Sequence, residues 1–204
     1  PYIIGPLAGS IDTPPSFRVE CRSDPWYVRL RDLDQLRLRY DPLLQRTYRD
    51  AAVVIGVAPY VKELLRSIPS RRFCSMSETG VWQLPPAPTR TTSAARGFRL
   101  LFVGRLVRSK GARDAIRAVA ELPDLPAISL DIVGDGPDKT ACQAEIARLG
   151  LTGRVRLHGR LPRPECDRFY AVSDIFLFPS FREPSGNVVL EALSWGLPVI
   201  TSTN

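Results

Sequence analysis

From Arg99 to Thr201 the chain alternates two hydropathy patterns. Short apolar runs, RLLFVG, ISLDIVGDG, RVRLHG, DIFLFP and PVIT, are rich in β-branched residues and bounded by turn residues, which predicts buried strands. Between them KGARDAIRAVAEL, KTACQAEIARLG, PECDRFYAVS and GNVVLEALSWG follow a helical period. Strand and helix in succession make a βαβ series, so an α/β fold with a parallel sheet and helices on both faces is expected. Glycine follows several strands, at Gly104, at Gly134 with Gly136, and at Gly159. Ligands of such sheets bind beyond the carboxyl ends of the strands, so these loops are where chemistry is sought first.

The first part of the chain has a similar but less regular order. PYIIGPLAG reads as a strand leading into a glycine-proline loop, WYVRLRDLDQLRLRYDPLLQRTYRD as one long helix or two shorter ones, and AAVVIGVAP as a buried strand. YVKELLRSI reads as a helix and RRFCSMSE as a further strand. Thr89 to Ala95, TRTTSAA, follows LPPAP and has almost no apolar bulk, which is the composition of a linker. Residues 1–95 and 96–204 are therefore expected to form separate domains. Three strands are few for a doubly wound sheet, the chain opens on Pro1, and it stops at TSTN just past a strand. A fragment is expected, with its first domain incomplete.

Composition narrows the functional classes. Hydrophobic residues at 44% and charged residues at 24% belong to a globular protein. Neither a signal pattern nor a run of about 20 apolar residues is present, so a cytoplasmic chain is expected. Cys21, Cys74, Cys142 and Cys166 form no CxxC pair and no metal-ligand spacing with His158, so free buried thiols in a reducing compartment and no metal site are expected. The net charge of +7, spread over both halves, suits anionic small molecules, an acidic membrane surface or nucleic acid. Nucleic acid is disfavoured, since there is no zinc finger, RNP-like aromatic motif or Lys/Arg block. The lack of GxGxxG and GxxxxGK[ST] loops argues against a dinucleotide oxidoreductase and a P-loop NTPase.

Three loops carry candidate chemistry. In FREPSGNVVLEALSWGLP, Gly186 permits a tight turn, and the first helix amides, at Gly186, Asn187 and Val188, lack intrahelical acceptors. With the helix dipole they make an anion site suited to phosphate. Glu183 and Glu191 bracket that site and can accept hydrogen bonds from hydroxyls, such as those of a ribose. The competing structural reading makes Glu183 a helix-terminal charge and Glu191 a solvent-facing one, although a carboxylate flanked by VVL and AL needs a partner. In FVGRLVRSKG, Arg105 follows a strand and Lys110 begins a helix, two cations that can converge on a diphosphate. Arg108 reads as a solvated loop charge. In DIVGDGPD, Gly134 and Gly136 allow close backbone approach to a ligand. His158 reads as a packed or capping residue.

Taken in order, GRLVRSKG, LDIVGDGP, VRLHGRLP, DIFLFPS and the Glu-x7-Glu element EPSGNVVLE, followed by EALSWGLPVI, resemble the retaining, family 4 glycosyltransferases of the GT-B fold. The match covers most of Arg99 to Thr201, and the stretch from IGPLAGS to SETGV resembles that family's acceptor domain. The resemblance implies two Rossmann-like domains: 1–95 as the later half of the acceptor domain plus linker, 96–204 as the nucleotide-sugar donor domain. It implies sugar transfer from a nucleoside diphosphate donor with retention at the anomeric carbon and without a metal or other cofactor. Arg105 and Lys110 would hold the diphosphate and stabilise the leaving group, and Glu183 would contact donor-sugar hydroxyls. Gly186, Asn187 and Val188 would meet the phosphate or sugar and Glu191 the ribose, while Gly134 and the segment after Gly159 would border the nucleotide. Ser185 stands where family members commonly have Phe or Gly. The early acceptor-domain residues that face the donor sugar are absent from the chain, so the fragment alone is expected to be inactive. A glycan, lipid or small-molecule acceptor stays open, as does a peripheral membrane contact through the basic WYVRLRDLDQLRLRYDPLLQR segment. Two further readings also stay open: a non-catalytic nucleotide-sugar binding module, and a sugar-nucleotide epimerase of the same architecture.

Overall fold

A computed structural model describes residues 2–8, 11, 13–18, 32–77, 80–81, 84–86, 97–122 and 128–202. Two compact units emerge, Pro1–Gly80 with Glu183–Gly186, and Val81–Arg182 with Asn187–Asn204. The expected linker, Thr89 to Ala95, and the start of the basic helical segment, 26–31, lie outside the described residues.

The first unit holds β1 (Ile3–Leu7), α1 (Asp32–Tyr40), α2 (Pro42–Asp50), β2 (Val53–Gly56), α3 (Tyr60–Leu64) and β3 (Phe73–Ser75). Its strands form a parallel sheet in the order β1-β2-β3. Among the described residues the basic segment is two helices, because Asp41 and Pro42 stop the first and start the second. The Asp41 carboxylate accepts from the Leu43 and Leu44 amides at 3.0 and 3.1 Å. Pro42, which has no N–H to leave unsatisfied, occupies the first turn. Ala51, Val54, Val57, Val61, Leu65 and Ile68 make a small core around β2.

The second unit runs β4 (Arg99–Val103), α4 (Ala112–Ala120), β5 (Ser129–Val133), α5 (Lys139–Arg148), β6 (Val155–Gly159), α6 (Arg163–Val172), β7 (Ile175–Phe178), α7 (Asn187–Ser194) and β8 (Val199–Thr201). All its strand pairs are parallel, in the order β6-β5-β4-β7-β8. The chain thus starts in the middle, builds outward through β5 and β6, and returns past β4 to add β7 and β8. On α4, Ala112, Ala115, Ile116 and Val119 are buried, a spacing of three and four that turns one stripe inward. Burial of Ile116 and Val119 stabilises the unit by roughly 1.5–3 kcal/mol each. Phe102, Tyr170, Phe176 and Phe178 are fully or almost fully buried beside them, with the Phe176 and Phe178 rings stacked at 5.8 Å.

Candidate functional site

In the second sheet the direction of growth reverses between β4 and β7, which are hydrogen-bonded neighbours. Loops leaving the carboxyl ends of two such strands diverge toward opposite faces and leave a crevice, the usual ligand position in an open α/β sheet. Here the two loops carry FVGRLVRSKG and PSFREPSG. The Ser109 carbonyl accepts from the Phe181 amide at 3.1 Å and the Ser180 hydroxyl at 3.1 Å. Gly111 has φ of 78°, and a Cβ there would lie 2.1 Å from the Pro179 carbonyl oxygen, so only glycine lets the loops approach this closely.

Of the two predicted diphosphate cations, Lys110 is drawn into this seam and Arg105 is not. Lys110 is half-buried in a short 3-10 turn, Arg108–Lys110; its Nζ donates to the Arg182 carbonyl at 3.3 Å and stands 6.0 Å from the centre of the Phe178 ring. The Arg105 side chain is exposed, with no hydrogen bond or ion pair among the described residues. Arg108 departs from the expectation of a solvated charge. It is 5% exposed, its guanidinium grips both oxygens of Asp114 in the first turn of α4, and it lies over the Phe181 ring at 5.4 Å. A bidentate ion pair and an aromatic face replace the water that a buried guanidinium loses.

Glu183 is engaged locally: its Oε1 accepts from the Gly186 amide at 3.1 Å and the Ser185 amide at 3.4 Å. One predicted anion-binding amide is thereby taken by the protein's own carboxylate. The Asn187 and Val188 amides make no hydrogen bond among the described residues, as expected for the first turn of α7. Glu191 is half-buried and held from α6, where Arg163 Nη1 donates to Oε1 at 2.6 Å and the Tyr170 hydroxyl to Oε2 at 3.1 Å. Burial first, then the Glu191 charge, pushes the Tyr170 hydroxyl far up from its ordinary pKa and keeps it a donor. Arg163 and Tyr170 were not foreseen. A carboxylate inside an apolar helix announces that a partner exists, but nothing along the chain says which one.

Gly134 closes the other side of the strand ends. Its amide donates to Gly159 at 2.7 Å, the Gly104 amide donates to Val133 at 3.0 Å, and a Cβ on Gly134 would lie 1.9 Å from the Gly104 carbonyl oxygen. The close approach that requires glycine is therefore to the backbone of the β4 loop. His158 packs as expected, its Nε2 2.6 Å from Asp131 Oδ1 and its ring 4.5 Å from that of Phe169. Among the described residues no group of three or more His, Cys, Asp or Glu is placed to hold a metal, and no helix is long and apolar enough to cross a membrane.

Parallel sheets, a switch point between β4 and β7, and a lysine fixed in the seam of its two loops define an α/β protein of the Rossmann-like kind. The chain belongs to the glycosyl transferases group 1, whose pattern it matches over residues 89–204. It is 40% identical over 99 residues to 2-deoxystreptamine glucosyltransferase of Streptomyces kanamyceticus, which covers 48% of this chain and 26% of that protein. It is 36% identical over 103 residues to the lipopolysaccharide core biosynthesis glycosyltransferase LpsE of Rhizobium meliloti (strain 1021), covering 50% and 29%. The chain thus aligns with less than a third of either relative. Its fold is shared with Anabaena HepE, solved with UDP and glucose, at a TM-score of 0.64 and 24% identity over 82% of this chain and 48% of that one. The lipopolysaccharide outer core galactosyltransferase WaaB in its apo form matches with a TM-score of 0.62 and 24% identity, covering 74% and 43%. The architecture is accordingly α/β of the GT-B type.

Proposed function

We propose that the chain carries the donor side of a retaining, metal-independent glycosyltransferase that uses a nucleoside diphosphate sugar, with residues 96–204 as the donor domain and 1–95 as part of the acceptor domain. The observation that carries this reading is the seam at the switch point, where Lys110 is held between the β4 and β7 loops. As the glycosidic bond to phosphate breaks, negative charge builds on the departing diphosphate, and preorganised cations and helix amides stabilise it without further reorganisation. Arg105 and Lys110 supply that charge, and the Asn187 and Val188 amides supply the dipole. Glu183 exchanges its own amides for donor-sugar hydroxyls. Arg163 and Tyr170 hold the Glu191 carboxylate in place, which suits it to accept from a ribose diol. HepE and the pneumococcal O-GlcNAc transferase GtfA were solved with UDP, which makes UDP the first nucleotide to test.

The acceptor is assigned only as a glycan, lipid or small molecule. One relative is named for 2-deoxystreptamine and another for lipopolysaccharide core, so the donor domain serves acceptors of different chemistry within this family. A peripheral contact with the cytoplasmic membrane face would use α1 and α2, where exposed Leu36, Tyr40 and Leu43 stand among Arg37, Arg39 and Arg46.

Calorimetric titration of the chain with UDP-, GDP- and ADP-sugars tests the donor reading. One nucleotide is expected to bind, and Lys110→Ala should weaken the diphosphate roughly tenfold while sparing the nucleoside. Equal losses for both would remove the diphosphate role. Unchanged affinity in Glu191→Gln would remove the ribose role, and binding of none of the three would overturn the donor reading.

A further inference from the structure

Parallel sheets are normally covered on both faces, yet one face of the second sheet is polar where three adjacent strands meet. Leu130 and Ile132 are fully buried on one side of β5 and Val155 is buried on the same side of β6, while Ser129, Asp131, Arg156 and His158 alternate onto the other. Arg99, in register with Ser129, continues that polar face onto β4. Helix α6 reaches it with Phe169 and Val172, and between them lies a groove of about 480 Å³. That volume falls within the roughly 300–1,000 Å³ of small-molecule sites.

The groove is cationic, and its charges are unequally committed. Arg154 is spent on structure, donating to the carbonyls of Ile128, Val119 and Leu122 at 3.2–3.3 Å. Asp131, the one carboxylate among the lining residues, lies 2.6 Å from His158. Asp174, at the edge, accepts from the Arg99 backbone amide at 2.8 Å. The guanidinium groups of Arg99 and Arg156 are exposed, with no hydrogen bond or ion pair among the described residues. They rise from strands on either side of β5, two strand spacings or about 10 Å apart across the sheet and, since Arg99 is level with Ser129 and Arg156 with Asp131, two residues or about 7 Å apart along it. The Ser129 side chain and the His158-paired Asp131 carboxylate stand on the strand between them.

We propose that this groove is an anion-binding site for a diphosphate-bearing small molecule, separate from the strand-end loops that follow Val103 and Phe178. Two guanidinium forks match the oxygens of two linked phosphoryl groups better than those of one. Phe169 and Val172 give an organic substituent an apolar wall. The site needs no donor chemistry, so it stands or falls independently of the glycosyltransferase reading.

The test is a titration of the 15N-labelled chain with inorganic pyrophosphate at low salt, followed by amide shifts. Saturable shifts at Ser129, Arg156 and His158 are expected, and Arg99→Gln with Arg156→Gln should weaken them roughly tenfold or more. Shifts at Gly104 and Lys110 in that variant should match those of the parent. The Lys pair at the same positions keeps charge without the forks and should fall between parent and Gln pair. Shifts confined to the strand-end loops, shifts that grow without saturating, or equal affinity in the Gln pair would overturn the proposal. So would tighter binding of an oligoglutamate peptide than of pyrophosphate, which would make the groove a protein-docking surface. Both arginines are exposed, and an unchanged thermal melt of the variants is the accompanying check on folding.

Discussion

Gly134 lies where β5 ends, against the backbone of the loop that leaves β4. Its place after DIV marks a turn that needs glycine, and the sequence reading reserved that freedom for a ligand. In the fold, φ is 147° and the space for a Cβ is filled by the Gly104 carbonyl. Gly134→Ala is therefore expected to lower stability by about 2–3 kcal/mol in urea unfolding. Gly150, at φ of 67° with nothing within 4 Å of a built Cβ, should lose only about 1 kcal/mol on the same change. Equal losses would show that backbone conformation, not the contact with Gly104, sets the cost. Glu191 follows the same logic. Its apolar neighbours imply a partner, whereas Arg163 and Tyr170 stand 28 and 21 residues away and are chosen by how α6 packs.

At the scale of elements, the apolar stripe of α4 was readable from its period, but its coupling to α5 was not. Arg117 of α4 donates to Glu145 of α5 at 2.6 Å, and Arg148 donates to the same carboxylate at 2.9 Å. Arg148 first, then Arg117, holds the Glu145 carboxyl at about 2, below its ordinary 4.5. A folded value below the unfolded one stabilises the protein above pH 4.5 and loses that contribution as pH falls toward 2. Glu145→Gln should cost about 1 kcal/mol at neutral pH, since the pair stands near the surface. Melts of parent and variant should converge between pH 4.5 and 2, and a gap that persists at pH 2 would assign the loss to packing. Hydropathy alone fits the basic helical segment to one helix or to two. The carboxylate of Asp41 and the ring of Pro42 decide for two, and both are local signals.

The whole molecule has two cores of unequal size. The first unit rests on six buried side chains around β2, while the second has a much larger core drawn from β4, β5, β6, β7 and helices α4, α5, α6 and α7. Local stability follows buried apolar contact, so amides of β1–β3 should exchange hydrogen sooner than those of β4, β5 and β7. Uniform protection across both sheets would contradict that order. Legible along the chain alone were the succession of strands and helices, the parallel direction that βαβ connection imposes, and the glycine- and cation-bearing loops at strand ends. Those follow from periodicity and turn chemistry, which are local. Packing places β4 between β5 and β7, draws Lys110 into the seam while Arg105 stays outside, buries Arg108 on Asp114, and sets Arg99 and Arg156 in one groove. Each depends on which distant segments meet across a sheet or between helices, and a side chain's partner is set by that meeting rather than by its neighbours along the chain.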